Sequence, residues 1–264
     1  MPDSPAAAAK PPRVSFLIPA YNEAATIEEL LDRVWALPLD KQLVIVDDGS
    51  TDATGGLAER WANGRTGVVV VRKEHGGKGT AIQAGIPHLE GDIVVLQDAD
   101  LEYDPSEYPV LLRPIEAGRA DVVYGSRFFG SSERRVQFFW HTVGNQILTL
   151  ITNVFTNLNL TDMATCYKAF HRRVVPALDL ESKRFGVDAE FTVKVARGGF
   201  RIFEVPISYF GRSMAEGKKI RMKDGFSALG ALVKHSLGPR PAIAAPASRP
   251  EAATGDSAAG ERPA

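Results

Sequence analysis

Several features that mark specialised protein classes are scarce or missing in this chain. One cysteine, Cys166, stands in 264 residues. An intramolecular disulfide is therefore excluded, and a reducing cytoplasm is the expected compartment. Net charge is nearly absent, because 31 Lys and Arg offset 32 Asp and Glu to leave a formal −1. No stretch of about 20 mostly apolar residues is present, so no membrane-spanning helix is expected. No basic segment followed by an apolar run opens the sequence, so no secretory signal is expected. What remains is ordinary globular material, 44% hydrophobic and 24% charged. That rules out a fibre, a wholly disordered chain or a polytopic membrane protein. The length suits one large domain with a substantial core.

The balanced charge hides an asymmetry. Residues 127–223 carry 16 basic and 8 acidic side chains, and the rest carries 15 and 24. A basic second half points to anionic ligands or an anionic membrane surface, or simply to solvated helix faces. Residues 1–12 and 239–264 are rich in Pro and Ala without an apolar period, and both are expected to be disordered tails. The folded domain is expected to run from 13 to 238.

Short β-branched apolar runs at 14–19, 42–47, 67–72, 92–97 and 120–125 read as strands buried on both faces. Helical patterns fall between them, near 23–36, 52–63, 78–89 and 106–117. Alternation of this kind predicts an α/β fold with a mostly parallel, Rossmann-like sheet flanked by helices. Right-handed crossovers then bring the loops that follow the strands to one edge, where ligands bind. The second half reads as a long helix over 136–158, a short run at 165–170, a helix at 186–197, a strand at 201–207 and a last helix at 224–236. It is expected to extend the same domain on its acceptor side.

The post-strand loops hold the chemistry. Pro19-Ala20-Tyr21-Asn22-Glu23 follows the first strand; Pro19 stops it, Asn22 can cap the next helix, Tyr21 can stack on a base and Glu23 can accept hydrogen bonds from one. Asp47 and Asp48 end the second strand, where adjacent carboxylates are costly unless paired or bound. Lys73 to Gly79 places glycines before a helix, which lets backbone amides approach phosphate, with Lys78 adding charge. The spacing is not that of a Walker loop. Asp98, Asp100 and Glu102 follow the fourth strand at alternate positions. Continued strand geometry would put them on one face as hard oxygen ligands for Mg²⁺ or Mn²⁺.

In this order and spacing, PAYNE, DDGSTD, GKG, DADLE, GSRF, TDMATCYKAF and EVPISYFGR…EGKK resemble glycosyltransferase family 2, with its GT-A fold. The likeness is closer to the polyprenyl-phosphate sugar synthases, the dolichyl-phosphate mannose synthases and their bacterial and archaeal relatives. It spans about Val14 to Ser236. The resemblance implies a nucleotide-sugar-binding half over 13–125 and an acceptor half over 126–238. It makes Pro19, Tyr21, Glu23 and Asp48 contacts to the base and ribose, with Lys78 and Asp98 beside the donor. It makes Asp98, Asp100 and Glu102 the metal site, with Glu102 where the relatives often carry glutamine. Arg127 would grip the acceptor phosphate together with Arg134 or Arg135. Arg212 and Lys218 would close over the phosphates, although the mannose synthases have Ser-Lys where this chain runs Glu216-Gly217-Lys218-Lys219.

The expected activity is metal-dependent, inverting transfer of a sugar from a GDP- or UDP-linked donor to a polyprenyl monophosphate. Asp100, Arg127, Arg212 and Lys218 would be its catalytic groups. A phosphate monoester with a second pKa of about 6 is largely dianionic at neutral pH and needs no general base. His141 and His171 are accordingly given local helix or core roles. Two alternatives stand: transfer to a glycan or protein hydroxyl with Asp162 as base, and a nucleotide-sugar-binding scaffold without catalysis. Residues 136–160 contain no Lys, Arg, Asp or Glu. An apolar stripe (Val136, Trp140 or Phe139, Val143, Ile147, Leu150 or Ile151, Val154, Leu158) runs beside an uncharged polar one (His141, Asn145, Thr149, Thr152 or Asn153, Thr156). This pattern fits a helix lying at the bilayer interface with Phe138, Phe139 and Trp140 at headgroup depth, or else a buried core or dimer helix. Peripheral attachment at the cytoplasmic face of a membrane follows from the first reading. A nucleic-acid partner is not expected, and a homodimer is allowed.

Overall fold

A computed structural model of the chain describes residues 12–130, 135, 136, 138–212 and 222–237. All of both expected tails except Pro12 lies outside the described residues. So do Arg134 and the run 216–219 with Lys218.

Seven strands form one sheet in the order β3-β2-β1-β4-β6-β5-β7. They are β1 (Val14–Ala20), β2 (Lys41–Asp47), β3 (Val68–Arg72), β4 (Ile93–Leu96), β5 (Val122–Ser126), β6 (Lys168–His171) and β7 (Ile202–Pro206). β1 runs parallel to both β2 and β4, β2 to β3, and β5 to β7. β6 lies antiparallel between β4 and β5. The sheet is therefore mostly parallel, as the α/β pattern requires.

Alternate strand residues feed two cores, one on each face. Phe16, Ile18, Leu43, Ile45 and Val95 pack with α1 (Ile27–Trp35), α2 (Thr54–Ala62) and α4 (Tyr108–Glu116). On α1 the buried residues are Ile27, Leu30, Leu31 and Val34, the i, i+3, i+4, i+7 spacing of one helix face. Leu17, Val44, Val46, Val94 and Leu96 pack on the other side. Their partners come from α3 (Lys78–Gly85), α7 (Gly186–Arg197) and α8 (Met222–Leu237). β3 departs from expectation: as an edge strand its valines are only half-buried.

β1 also outruns its expected stop, because Pro19 sits inside it. β4 pairs with β1 only as far as Leu17, after which the Gln97 N–H bonds the Leu17 carbonyl. Pro19 has the same side of the strand as Leu17, so its missing N–H falls where that ladder has ended. The chain leaves β1 for β2 on one side and returns to β4 on the other. This topological switch opens a crevice between the loops that follow β1 and β4.

The second half is organised by α5 (Phe139–Thr156), which packs Leu148 and Ile151 on the core but also turns polar residues inward. Its polar stripe faces the protein: Thr149 and Thr152 are buried. Asn145 donates to Asp162, Thr149 accepts the Met163 N–H, and Asn153 bonds Leu160 through both its amide atoms. Trp140, Ile147, Leu150 and Val154 point outward, with Val154 75% exposed. A short helix, α6 (Val175–Leu178), and α7 follow β6. Lys168 on β6 is fully buried and donates to Asp188 of α7 at 2.7 Å. Asp121 at the start of β5 receives Arg173 and Arg201, whose hydrogen bonds overcome its burial and hold its carboxyl down at about 2.

Gly79 is packed against the segment 182–184. A Cβ there would stand 1.8 Å from the Ser182 carbonyl oxygen. Gly79→Ala is expected to lower stability by roughly 2 kcal/mol, a fall in Tm of about 4–8 °C. Gly144→Ala, in open space on α5, should raise stability by about 0.5–1 kcal/mol. Equal melting temperatures for the two variants would contradict the packing.

Candidate active site

The loops after β1 and β2 brace each other. Asn22 takes a left-handed conformation (φ 51°) and its side chain accepts the Thr51 N–H at 2.8 Å. It therefore does not cap α1, as its type and position suggested. Ser50 accepts the Asn22 N–H and Thr54 accepts the Glu23 N–H. Tyr21 stacks on His75 from the loop after β3, with ring centroids 4.1 Å apart.

Asp48 is buried and anchors that loop. It accepts the Gly76 and Gly77 N–H groups at 3.0 and 2.7 Å and the Lys73 ammonium at 2.6 Å, and His75 Nδ1 lies 3.0 Å away. Asp47 meets Arg72 and the Ser50 N–H. Both carboxylates are thus paired, as their burial demands. The glycines also have a packing role. Gly77 (φ +98°) and Gly79 admit the 182–184 backbone, and the Thr80 N–H at the start of α3 donates to the Lys183 carbonyl.

Asp98, Asp100 and Glu102 do not share one face, because β4 ends at Leu96 and the chain turns through Leu101 at φ 58°. Asp98 goes one way and pairs with the Lys78 ammonium at 2.5 Å. Burial alone would raise Asp98 and lower Lys78. Their mutual attraction overrides it, so the carboxylate stays below its usual range and the ammonium well above its own.

Asp100 and Glu102 go the other way and meet Arg212. Its guanidinium reaches Glu23 through both Nη atoms at 3.0 Å and Asp100 at 3.1 Å. Its backbone N–H donates to Glu102 at 2.7 Å, and Tyr209 donates to the same carboxylate. Burial and the neighbouring Asp98 and Glu102 push the Asp100 carboxyl up to about 7, against the pull of Arg212. Among the described residues no three His, Cys, Asp or Glu side chains are grouped as a metal site. The donor chemistry still fits a hard divalent cation. Asp100 and Glu102 offer hard carboxylate oxygens in the loop after β4, both turned toward Arg212.

Arg127, after β5, is nearly buried and forms a bidentate pair with Asp162 at 2.6 and 2.7 Å. It also lies over the Tyr209 ring, 5.0 Å from its centroid. Asp162 is fully buried and accepts Asn145 as well. The alternative that made it a general base is therefore corrected: both oxygens are engaged and the group has no access to solvent. Arg135 is exposed; its N–H bonds the Tyr209 carbonyl and its guanidinium the Gly211 carbonyl. His171 accepts the Arg173 N–H in a local turn.

The sequence model described as "Glycosyl transferase family 2" matches residues 15–178. The chain belongs to glycosyltransferase family 2. It is 34% identical to an undecaprenyl-phosphate mannosyltransferase of Micrococcus luteus, over 78% of this chain and 87% of that protein. It is 29% identical to a polyprenol monophosphomannose synthase of Mycolicibacterium smegmatis, over 82% and 84%. Among solved structures, glucosyl-3-phosphoglycerate synthase of Mycobacterium tuberculosis with Mn²⁺, UDP and glucosyl-3-phosphoglycerate superposes with a TM-score of 0.66. It is 22% identical and covers 86% of this chain and 81% of that one. That likeness supports the GT-A fold.

For this glycosyltransferase, sequence motifs located every post-strand carboxylate but not its partner. Lys73 and His75 join Tyr21 and Asp48, and Tyr209, although it lies in the EVPISYFGR run, gave no sign in the sequence that it links Arg127 to Glu102. Glu204 on β7 accepts the N–H groups of Thr161 and Asp162 and so fixes the turn that presents Asp162. Asp162→Ala is expected to cost about 3–5 kcal/mol in chemical denaturation, because it strands a buried guanidinium. The double change Arg127→Met with Asp162→Leu should recover most of that loss. A cost below about 1 kcal/mol for Asp162→Ala would show that the pair is not what holds this turn.

Proposed function

We propose that this glycosyltransferase transfers a hexose, with inversion, from GDP-mannose or a UDP-hexose to a polyprenyl monophosphate, using Mg²⁺ or Mn²⁺. The observation that carries the reading is the sequestration of Asp162. A hydroxyl acceptor needs a base near the reacting carbon, and the carboxylate available for that task is locked to Arg127. A phosphate acceptor needs only cations to place it. The named activities of the Micrococcus and Mycolicibacterium relatives support the same acceptor class.

In this reading Tyr21 and Glu23, with Pro19 shaping the strand end, receive the base and ribose. Asp48 acts by fixing the loop that carries His75 against Tyr21. Lys78, oriented by Asp98, and Arg212 with Lys218 neutralise the diphosphate. Arg127, braced by Asp162, directs the acceptor phosphate together with Arg134 or Arg135. The phosphate oxygen attacks the anomeric carbon as the bond to the nucleoside diphosphate breaks, and no proton is transferred. A divalent cation held by Asp100 and Glu102, with Asp98 nearby, would stabilise the charge that develops on the leaving diphosphate.

The test is transfer of labelled sugar from GDP-mannose, UDP-glucose and UDP-N-acetylhexosamines to undecaprenyl phosphate. One donor should give a lipid-linked product, lost on chelation with EDTA and reduced at least about 100-fold by Asp100→Ala. Because Asp100 holds its proton up to about 7, a cation must displace that proton, so metal affinity should fall as the pH drops below 7. Product formation on a glycan or peptide but not on the lipid would replace this reading, and donor binding without any transfer would favour a scaffold.

The outward apolar face of α5 is assigned to a membrane surface. A helix that turns its threonines and asparagines inward and its Trp140, Leu150 and Val154 outward needs an apolar neighbour. Phe138 and Phe139 are also exposed, beside Arg135 at the helix start. Among the described residues no helix is long and apolar enough to cross a membrane, so the contact would be peripheral, at the cytoplasmic face. The chain should co-sediment with liposomes containing anionic lipid, and the pair Phe139→Ser, Trp140→Ser should weaken this about tenfold or more. A concentration-dependent dimer with no liposome binding would assign the face to a second copy instead.

A further inference from the structure

Arg212 stands between the two carboxylates that would hold a cation and a third, Glu23, placed at the base and ribose. Glu23 comes from the loop after β1, and Asp100 and Glu102 from the loop after β4. All three converge on a residue 110 or more positions away in the sequence. The fit is incomplete. Nε of Arg212 is buried and finds no hydrogen-bond acceptor among the described residues, its nearest carboxylate oxygen being Glu102 at 3.6 Å. Both Nη atoms are matched by Glu23 and Asp100, and Nε is the donor left over.

Two cations cannot both profit from the same carboxylate oxygens, because they repel each other at a few ångströms in a partly desolvated site. Asp100 is Arg212's acceptor only while nothing more highly charged claims it, and Glu23 holds the guanidinium beside it meanwhile. The diphosphate of a nucleotide is the alternative partner for a guanidinium, and a bidentate one. We infer that Arg212 is a placeholder: it occupies the cation's position in the substrate-free enzyme and exchanges its carboxylates for the donor diphosphate when cation and nucleotide enter together. Arg212 thereby suppresses binding of the cation alone and couples it to the nucleotide. By reciprocity each ligand then tightens the other by the same factor. The inference rests on the metal-dependent reading above, and it adds a role for Arg212 before any substrate is bound.

The experiment measures Mn²⁺ binding to the full chain from the electron-paramagnetic signal of the free ion, without nucleotide and with UDP or GDP. In the unmodified protein, nucleotide should tighten Mn²⁺ binding strongly. Arg212→Gln keeps hydrogen-bonding capacity without charge, and Arg212→Ala removes the side chain. Both should bind Mn²⁺ alone at least about tenfold tighter than the unmodified protein and lose most of the tightening by nucleotide. Losing a positive charge would thus improve metal binding while impairing transfer, an outcome that a merely structural arginine would not give. Unchanged or weaker Mn²⁺ affinity in the folded variants overturns the placeholder. So does Mn²⁺ binding to the unmodified protein that is indifferent to UDP and GDP, which needs no variant to fold. If EDTA abolishes transfer yet the variants bind Mn²⁺ as the unmodified protein does, the placeholder alone fails. If Mn²⁺ binds to none of the proteins, with or without nucleotide, the metal-dependent reading falls with it.

Discussion

Compensation of buried negative charge at the carboxyl edge of the sheet is the constraint from which the rest of the site follows. Parallel strands all deliver their following loops to one edge, and in this chain those loops end in Asp47, Asp48, Asp98, Asp100 and Glu102. Each carboxylate leaves water as the domain folds and is stable only with a partner. Lys73 answers Asp48, Lys78 answers Asp98, and Arg72 answers Asp47. Among the described residues, Asp100 and Glu102 find theirs in Arg212, from the far end of the domain. The site therefore cannot assemble from the first half alone. Burial first, and the neighbouring Asp98 and Glu102 after it, keep the Asp100 carboxyl raised to about 7.

The second half answers a similar demand. Arg127 is nearly buried, and Asp162 pairs it. Asp162 in turn depends on Asn145 of α5, and its turn depends on Glu204 of β7. A polar lining is thus required on the inner face of α5. The helix carries it, and with no charged residue on the stretch its apolar side is left facing out. The outward apolar residues of this helix, Trp140, Ile147, Leu150 and Val154, are what the proposed membrane contact rests on.

Tyr209 connects the two charge clusters. Its hydroxyl donates to Glu102 while its ring lies against Arg127. A change on the acceptor side can therefore be felt at the carboxylates through one side chain. Tyr103 stacks within the same group, between Tyr167 and Tyr209, and gives that link a rigid apolar backing.

Local pattern was enough to determine the fold class, because β-branched runs of five or six residues alternating with helical spacing allow little besides a wound α/β sheet. Motif order was enough to reach the family, and the charge-free stretch from 136 to 160 was visible by composition. Boundaries shifted by a few residues wherever a turn rather than periodicity ended an element: the helix expected from 23 starts at Ile27, because Asn22 spends its side chain on Thr51. The antiparallel insertion of β6 was not legible, since strand direction depends on contacts far apart in sequence. The ligand geometry misled for the same kind of reason. Alternation places Asp98, Asp100 and Glu102 on one face only while a strand continues, and Leu101 in a left-handed turn ends that rule. Which residues carry charge was written in the sequence. Which charges meet, Asp162 with Arg127 rather than with an acceptor and Arg212 with three carboxylates, was decided by the tertiary structure, because pairing energies act through space and Arg212 lies 110 or more positions from each of its partners.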